Sequence, residues 1–478
     1  MKRNRNSCRF LLVGILFVLM GGCTLAPKYD RPAPPVPNNW PTGAAYQETK
    51  PDVPTPAPDL PWREFLPEER LQKVIEIALK NSRNLRLAAL NVQRAQALYR
   101  VQRDELFPVV NAAGNWTKKH IPADLSSSGH ILTQESYSVD FGISSWEIDF
   151  FGRIQSLKDA ALEEYLATDE GRRNTQILLV SEVANAWFTL AADGENLKLS
   201  RSTFEAQQAS YNLIRKRYDV GLASELDLSQ AQTQVDTARR NVAIYTQRTA
   251  QDLNALTLLA GTPVPSELLP SELHGVSPPK EISAGLSSDV LLGRPDVLAA
   301  EHRLKAAHAN IGAARAAFFP RISLTAITGT ASTDLSNLFK SGQGTWSFAP
   351  QIVLPIFDAR TWSAYDVTKV DREISVTRYE QTIQTAFREV ADALALRGTL
   401  GEQLSAQESL VEANARTYRL ADARYSKGID SYLNVLDAQR SLYSAQQALT
   451  VLRLERFTSL VSLYKVLGGG AKEDSLYQ

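Results

Sequence analysis

Sulfur is nearly absent from this sequence. Its two cysteines, Cys8 and Cys23, and its two methionines, Met1 and Met20, all stand within the first 23 of 478 residues. A chain that begins at Cys23 therefore has no internal disulfide, no thiolate cluster and no thioether ligand for a soft metal. Histidine is scarce as well: His120, His130, His274, His302 and His308 are all there are, and no two stand at metal-ligand spacing. No glycine-rich loop cradles a phosphate, since LYKVLGGG (Leu463 to Gly470) ends a helical stretch and leads into no strand-to-helix turn. Neither sign of charge is in excess. Lys plus Arg is 52 and Asp plus Glu is 52, so no global field draws nucleic acid. These absences argue against an enzyme and against a nucleic-acid partner, and no cofactor is expected.

What is present begins with an address. Lys2, Arg3, Arg5 and Arg9 flank or precede FLLVGILFVLM, an apolar run too short at about a dozen residues to span a bilayer, which needs about twenty. Residues 1–22 read as a secretory signal. Met20-Gly21-Gly22-Cys23 resembles a bacterial lipobox, with methionine where leucine is usual, so Cys23 is expected to carry a covalent lipid. Thr24, in place of the aspartate that retains lipoproteins at the inner membrane, points the product outward. Eleven of the 23 prolines lie between Ala26 and Pro61, which favours extended chain over helix. Residues 23–62 thus form a lipidated, Pro-rich tether.

The remainder is written twice. RYDVGLASELDLSQAQ (Arg217 to Gln232) returns as RYSKGIDSYLNVLDAQ (Arg424 to Gln439), and Leu106-Phe107-Pro108 returns as Phe318-Phe319-Pro320. Residues 63–261 form repeat 1, 262–294 a Pro-rich linker, 295–470 repeat 2 and 471–478 a tail. Each repeat runs helix, strand pair, long helix, helix. The helices are expected over about 71–106, 157–219 and 226–259, then 297–318, 364–426 and 433–467. About sixty residues at ~1.5 Å each make a rod of some ~90 Å, beyond the needs of a compact enzyme. Ile177, Val180, Ala184, Trp187 and Ala191, and then Ile383, Phe387, Val390 and Leu394, step by threes and fours as helices packed side by side require.

The strands have one greasy face and one wet face. Tyr137, Val139, Phe141 and Ile143 alternate with Ser138, Asp140, Gly142 and Ser144. Trp346, Phe348, Ile352 and Leu354 do likewise, preceded by Ile322, Leu324 and Ala326. Lengths of about nine to eleven residues suit tilted strands that cross a bilayer. Ser136 to Ile148 and Arg321 to Thr328 are the segments expected in lipid, joined through polar loops at Lys118 to Gln134 and Thr330 to Thr345. Four strands cannot close a barrel, and an open sheet in lipid leaves amides unpaired at several kcal/mol each, so copies must combine. A dimer would supply eight strands and a trimer twelve.

WREF (Trp62 to Phe65), SWEIDFFGR (Ser145 to Arg153), ARAAFFPRISL (Ala314 to Leu324), EVADALA (Glu389 to Ala395), NVLDAQRSL (Asn434 to Leu442) and LYKVLGGG together resemble the outer-membrane factors of the TolC superfamily, in the lipoprotein branch typified by OprM. The resemblance covers nearly the whole mature chain. It implies a mixed α/β membrane protein: a homotrimer with a twelve-stranded transmembrane β-barrel in outer-membrane lipid, continued by a long periplasmic α-helical barrel. It also implies docking onto a periplasmic adaptor (membrane fusion protein) and an inner-membrane efflux pump, of RND type, to pass drugs or other small toxic compounds outward.

Gly221 and Gly428 stand where a helix must stop and turn, a task glycine performs by taking positive φ. Ser224 with Asp227 reads as a capping box and Ser431 with Asn434 as its looser copy. Each repeat thus carries an αα-hairpin tip, and six tips on a trimer suit a ring of adaptors. The resemblance further implies a periplasmic gate built from Leu433, Asn434 and Asp437. Three Asp437 carboxylates around a threefold axis would resist closure when ionised and attract cations. Asp227, near Tyr218 and Tyr425, would join the hydrogen bonds that hold neighbouring coiled coils shut. Asp430 departs from TolC, which has arginine there, so a lock relying on that cation is rewired. Two other readings stand beside efflux of small compounds. One is a channel for protein secretion or metal efflux, the missing methionines counting mildly against copper or silver. The other is a structural periplasmic lipoprotein, which leaves the amphipathic hairpins unexplained.

Overall fold

The computed structural model describes residues 24–46, 56–283, 285 and 287–470. The signal, Cys23 and the tail lie outside the described residues. Eight α-helices and one sheet make up the described chain, with short 3-10 turns between them. The helices are α1 (Trp62–Phe65), α2 (Glu69–Asn81), α3 (Arg83–Asp104), α4 (Arg153–Asp219), α5 (Glu225–Ala260), α6 (Pro295–Ala316), α7 (Ala359–Ser426) and α8 (Tyr432–Val466). The strands are β1 (Val110–Ile121), β2 (Leu132–Ile148), β3 (Arg321–Ser332) and β4 (Gly344–Val353). At 67 and 68 residues, α4 and α7 are the long helices the sequence promised. Among the described residues no helix is long and apolar enough to cross a membrane.

Two compact units share these elements. One comprises Met1–Ala33, Val92–Thr168 and Ala300–Tyr379. Its sheet has the order β1-β2-β3-β4, antiparallel throughout, which leaves β1 and β4 as open edges. Register sets Trp116 opposite Tyr137, and Phe141, Thr328 and Trp346 in one row. Cross-strand partners share a face, so Trp116, Phe141, Trp346, Phe348 and Ile352 form one apolar surface, each more than half exposed. The opposite face carries Ser138 bonded to Asp140. From Tyr137 to Ile148 is about eleven steps of ~3.3 Å, and a tilt near 40° projects this to ~28 Å, close to the apolar band of an outer-membrane barrel. The strands run further into the loops than expected: β1 reaches Ile121 and β3 reaches Ser332, because polar residues pair there as readily as apolar ones.

The start of the tether belongs to this unit and is held along its length. Arg315 donates to the Leu25 carbonyl, and Ala26 lies where a side chain on Gly312 would stand, 2.7 Å from its ideal Cβ. Tyr29 and Arg31 both bond Glu301, which is 3% exposed, Arg31 in a two-point fork of 3.0 and 2.6 Å. Thr24 Oγ1 ends the strap 3.1 Å from Ser156 Oγ, in the first turn of α4. The sequence foresaw extended chain here but not these anchors.

The other unit comprises Pro34–Asn91, Asp169–Ala299 and Glu380–Gln478. Its core is the expected stripe: Ala184, Trp187 and Ala191 are fully buried, and Trp187 donates its indole N–H to the Leu268 carbonyl at 3.0 Å. That acceptor lies in the inter-repeat linker, whose Leu273, Val276, Ile282 and Leu291 are buried as well. The linker is a packed belt on this unit, with Glu195 accepting the Leu273 and His274 amides. Trp40 of the Pro-rich tract stacks on Phe387 with centroids 5.2 Å apart. The first helix of repeat 1, expected unbroken over about 71–106, divides at Ser82. This residue is buried in extended geometry, ends α2 and offers its hydroxyl to the Leu85 amide.

Asp252 on α5 faces Asp193 on α4. Burial first, then the charge and hydrogen bond of Asp193, push the Asp252 carboxyl up to about 6. With an unfolded value near ~4, the folded chain holds this proton more tightly. The group therefore favours folding at acid pH and loses that contribution as pH rises through 6. Melting of the detergent-purified protein should show Asp252→Asn more stable than the parent at pH 8, by a few degrees, with the gap closing at pH 5; an equal gap at both would contradict this.

Candidate functional site

The two hairpin tips have the same backbone. At the first, the Gly221 amide bonds the Tyr218 carbonyl at 2.9 Å and the Leu222 amide reaches back to Arg217 at 2.7 Å. At the second, Gly428 bonds Tyr425 at 2.9 Å and Ile429 bonds Arg424 at 3.0 Å. This is a Schellman closure, and it requires the φ of +75° and +73° at Gly221 and Gly428. No atom lies within 4 Å of a Cβ at either glycine, so φ alone makes these positions glycine.

The next helices start differently. Ser224 and Asp227 form the full capping box: the Asp227 amide donates to Ser224 Oγ at 3.1 Å and the Ser224 amide to Asp227 Oδ2 at 3.0 Å. Ser431 makes no side-chain cap, and the Asn434 amide bonds its carbonyl instead. The looser copy expected at Ser431 and Asn434 is therefore not a capping box. Just before it, Arg424 grips Asp430 at 2.5 and 3.2 Å and holds that carboxyl below the usual carboxylate range. The acid at position 430 thus has a cation supplied from within its own turn.

The hairpins are joined by an apolar cluster of Ile214, Ala231, Tyr432, Val435 and Leu436, with Tyr211, Leu228, Tyr418 and Tyr425 packed around it. Burial, followed by the neighbouring Tyr425, pushes the Tyr432 phenol up to about 12. Arg217 Nη1 donates to the Tyr425 hydroxyl at 3.2 Å while its guanidinium lies 5.3 Å from the ring centre. Asp227 was expected in such a bond between coiled coils. Within the protomer its carboxylate serves the Ser224 cap, and Arg217 is the residue that reaches Tyr425. The signal for Arg217 was in the sequence, as the first letter shared by the two tip motifs.

With Tyr432, Val435 and Leu436 turned inward, α8 presents Leu433, Asn434, Asp437 and Arg440 on its outer face. Leu433 is 47% exposed, and Arg440 pairs with Asp437 at 2.7 Å in solvent. Val220, Leu222, Leu226 and Ile429 stand exposed around the two tips. Among the described residues no group of three or more His, Cys, Asp or Glu could hold a metal.

An open-edged sheet with a greasy face, in a chain whose long helices turn back as paired hairpins, defines a subunit of a channel whose barrel is completed by further copies. The chain belongs to the outer membrane efflux protein family, whose model matches residues 74–262 and 286–469. It is 50% identical over 467 residues to the toluene efflux pump outer membrane protein TtgC of Pseudomonas putida, covering 97% of this chain and 96% of that protein. The antibiotic efflux pump outer membrane protein ArpC of Pseudomonas putida matches with the same identity and coverage. The open-state structure of the Neisseria gonorrhoeae MtrE outer membrane channel superposes with a TM-score of 0.85 at 37% identity, over 95% of this chain and 99% of that one. The protein is accordingly the outer-membrane channel of an efflux system, reaching into the periplasm, and not an enzyme. A β-barrel with a helical tunnel is its architecture, and membership implies a trimer that works with a pump and an adaptor.

Proposed function

We propose that this channel exports small, largely apolar toxic compounds, aromatic solvents and antibiotics among them, received from an RND-type inner-membrane pump through a periplasmic adaptor. The observation that carries this is the 50% identity, across nearly all of both chains, to proteins named for toluene and antibiotic efflux. Adaptors dock on the tips around Gly221, Ser224, Gly428 and Ser431, where exposed Leu222 and Ile429 offer apolar contact beside rigid turns. Leu433, Asn434 and Asp437 form the periplasmic constriction, and the bond from Arg217 to Tyr425 latches it. Gly221→Glu or Gly428→Glu, each in a host lacking its own channel, should sensitise cells at least several-fold to toluene and to antibiotics while trimer abundance stays at the parental level. Resistance preserved in both variants would argue against the tips, and resistance absent with the unaltered channel would argue against the substrate class.

Cys23 carries the covalent lipid in this reading. Thr24, the next residue, is held at the first turn of α4, just beyond the end of β2, where a barrel strand leaves the bilayer. Cys23→Ser should abolish fatty-acid labelling and retard signal removal while the barrel still inserts; labelling that survives would remove the assignment.

A further inference from the structure

The inter-repeat linker crosses α4 in a groove floored by glycine. A side chain on Gly194 would put its Cβ 2.6 Å from the Ser271 carbonyl oxygen, so only glycine lets the linker's main chain lie this close to the helix. Pro270 is buried beside it, among Leu190 and Leu197 of α4 and Thr249 of α5. Lys198 holds the chain as it leaves, bonding Glu272 at 2.6 Å.

Repeat 2 contains the same groove. GENL (Gly194 to Leu197) returns as GEQL (Gly401 to Leu404), at the offset of 207 residues that carries Gly221 to Gly428. That offset also carries Leu190 to Arg397 and Thr249 to Arg456, and Arg397, Gly401, Leu404 and Arg456 line one cleft of about 610 Å³. Glycine weakens a helix interior relative to alanine, and at Gly194 the crossing chain accounts for it. Among the described residues nothing lies within 4 Å of a Cβ on Gly401. The offset says which chain should cross there. It carries Gly261, which closes α5 at φ +71°, to Gly468, which follows α8 at φ +74°. Ten residues lead from Gly261 to Ser271, and ten lead from Gly468 to Gln478.

We propose that residues 471–478, outside the described residues, lie in the α7 groove of their own chain as the linker lies in the α4 groove, with Tyr477 at the place of Pro270 and Gln478 crossing Gly401. The reach is the one the linker already spans. The replacements also suit one another. Leu190 and Pro270 become Arg397 and Tyr477, an aliphatic pair exchanged for a guanidinium and a ring on which it can stack, while Leu269 remains a leucine at Leu476. Arg456, paired with Glu281 only at 3.8 Å, stands free to face the same ring.

Ser405 lines the same cleft, whereas Gln403 stands on the far side of α7 at the same height. In the full-length protein in outer membranes, a short bismaleimide should join Ser405→Cys to Gln478→Cys within single chains: the denatured product keeps the monomer's mass, and peptide mapping finds the two sites linked. Gln403→Cys with Gln478→Cys should link about tenfold less, being turned away from the groove. Equal linking of both pairs would mean a tail that wanders, links between chains a seat on another copy, and no link at Ser405→Cys another occupant of the groove; each would overturn the proposal. As a second test, Gly401→Trp fills the groove and should raise the rate at which a bulky maleimide labels Gln478→Cys by about tenfold, since a displaced segment is open to solvent. An unchanged rate would overturn the proposal as well. Both readouts report where the tail lies and neither depends on export, so they stand or fall apart from the efflux reading.

Discussion

Arg294→Ala should destabilise the protein by about 2–3 kcal/mol, below the ~3–5 kcal/mol of a fully buried pair because the Asp296 and Glu389 carboxylates it leaves are 31% and 37% exposed. Arg294 is 8% exposed and stands where the linker enters repeat 2. Its Nη1 donates to the Val466 carbonyl at 2.6 Å, at the last turn of α8, where a cation also faces the negative end of the helix dipole. Its Nε and Nη2 fork onto Asp296 at 3.0 and 2.7 Å, and Nη2 reaches Glu389 on α7 at 2.9 Å. One guanidinium thus ties the linker, α7 and the end of α8, and truncation leaves two carboxylates and a carbonyl to find water. Arg294→Lys keeps the charge but loses the fork, so it should recover less than half of the loss. Denaturant melts of the purified protein decide this. A change in Arg294→Ala below about 1 kcal/mol would mean that water replaces the network at little cost.

Nothing in the sequence singled out Arg294, whereas the two long helices and the alternation of the strands were legible, though not the break at Ser82 or the full reach of β1 and β3. The reason is the range over which each signal acts. Trp187 and Ala191 belong to a stripe of period 3.6, and Tyr137 to Phe141 to an alternation of period two, so either can be read in a short window. The tip turns were legible because Gly221 and Gly428 serve a backbone requirement local to five residues. Arg294 bonds to Glu389 and Val466, and Glu301 to Tyr29 and Arg31, across stretches of chain that no window spans. The same limit separates the two caps. Ser224 and Ser431 look alike in sequence, but Asp227 closes a box with Ser224 whereas Ser431 makes no side-chain cap and the acid beside it, Asp430, is taken by Arg424. The outer face of α8 was legible as a helical face, four residues from Leu433 to Asp437. That Arg440 lies against Asp437, and that Arg217 rather than Asp227 reaches Tyr425, needed coordinates.

If the gate proposed at Leu433, Asn434 and Asp437 is the constriction, it should open in a graded order set by those contacts. The ion pair of Asp437 and Arg440 is exposed on both sides, so it is worth at most about 1 kcal/mol and cannot hold the constriction alone. The bond from Arg217 to Tyr425 joins the two hairpins beside a buried cluster, and a hydrogen bond with a stacked guanidinium is worth about 1–2 kcal/mol together. Tyr425→Phe should therefore raise the open fraction several-fold, and Arg217→Ala about tenfold, since ~1.4 kcal/mol is a factor of ten. Leu433→Ala with Asp437→Ala acts on the aperture itself. If Leu433 and Asp437 line the threefold axis, the double variant should raise single-channel conductance severalfold in a planar bilayer and admit antibiotics that the parent excludes. Asp437→Asn alone should lower cation preference with little change in conductance, because the side chain keeps its size and loses only its charge. Adding Arg217→Ala to the double variant should then gain little, since a widened aperture no longer depends on the latch. A double variant that conducts like the parent would put the constriction on another face of α8, and Asp437 would be a solvated acid paired with Arg440 and nothing more.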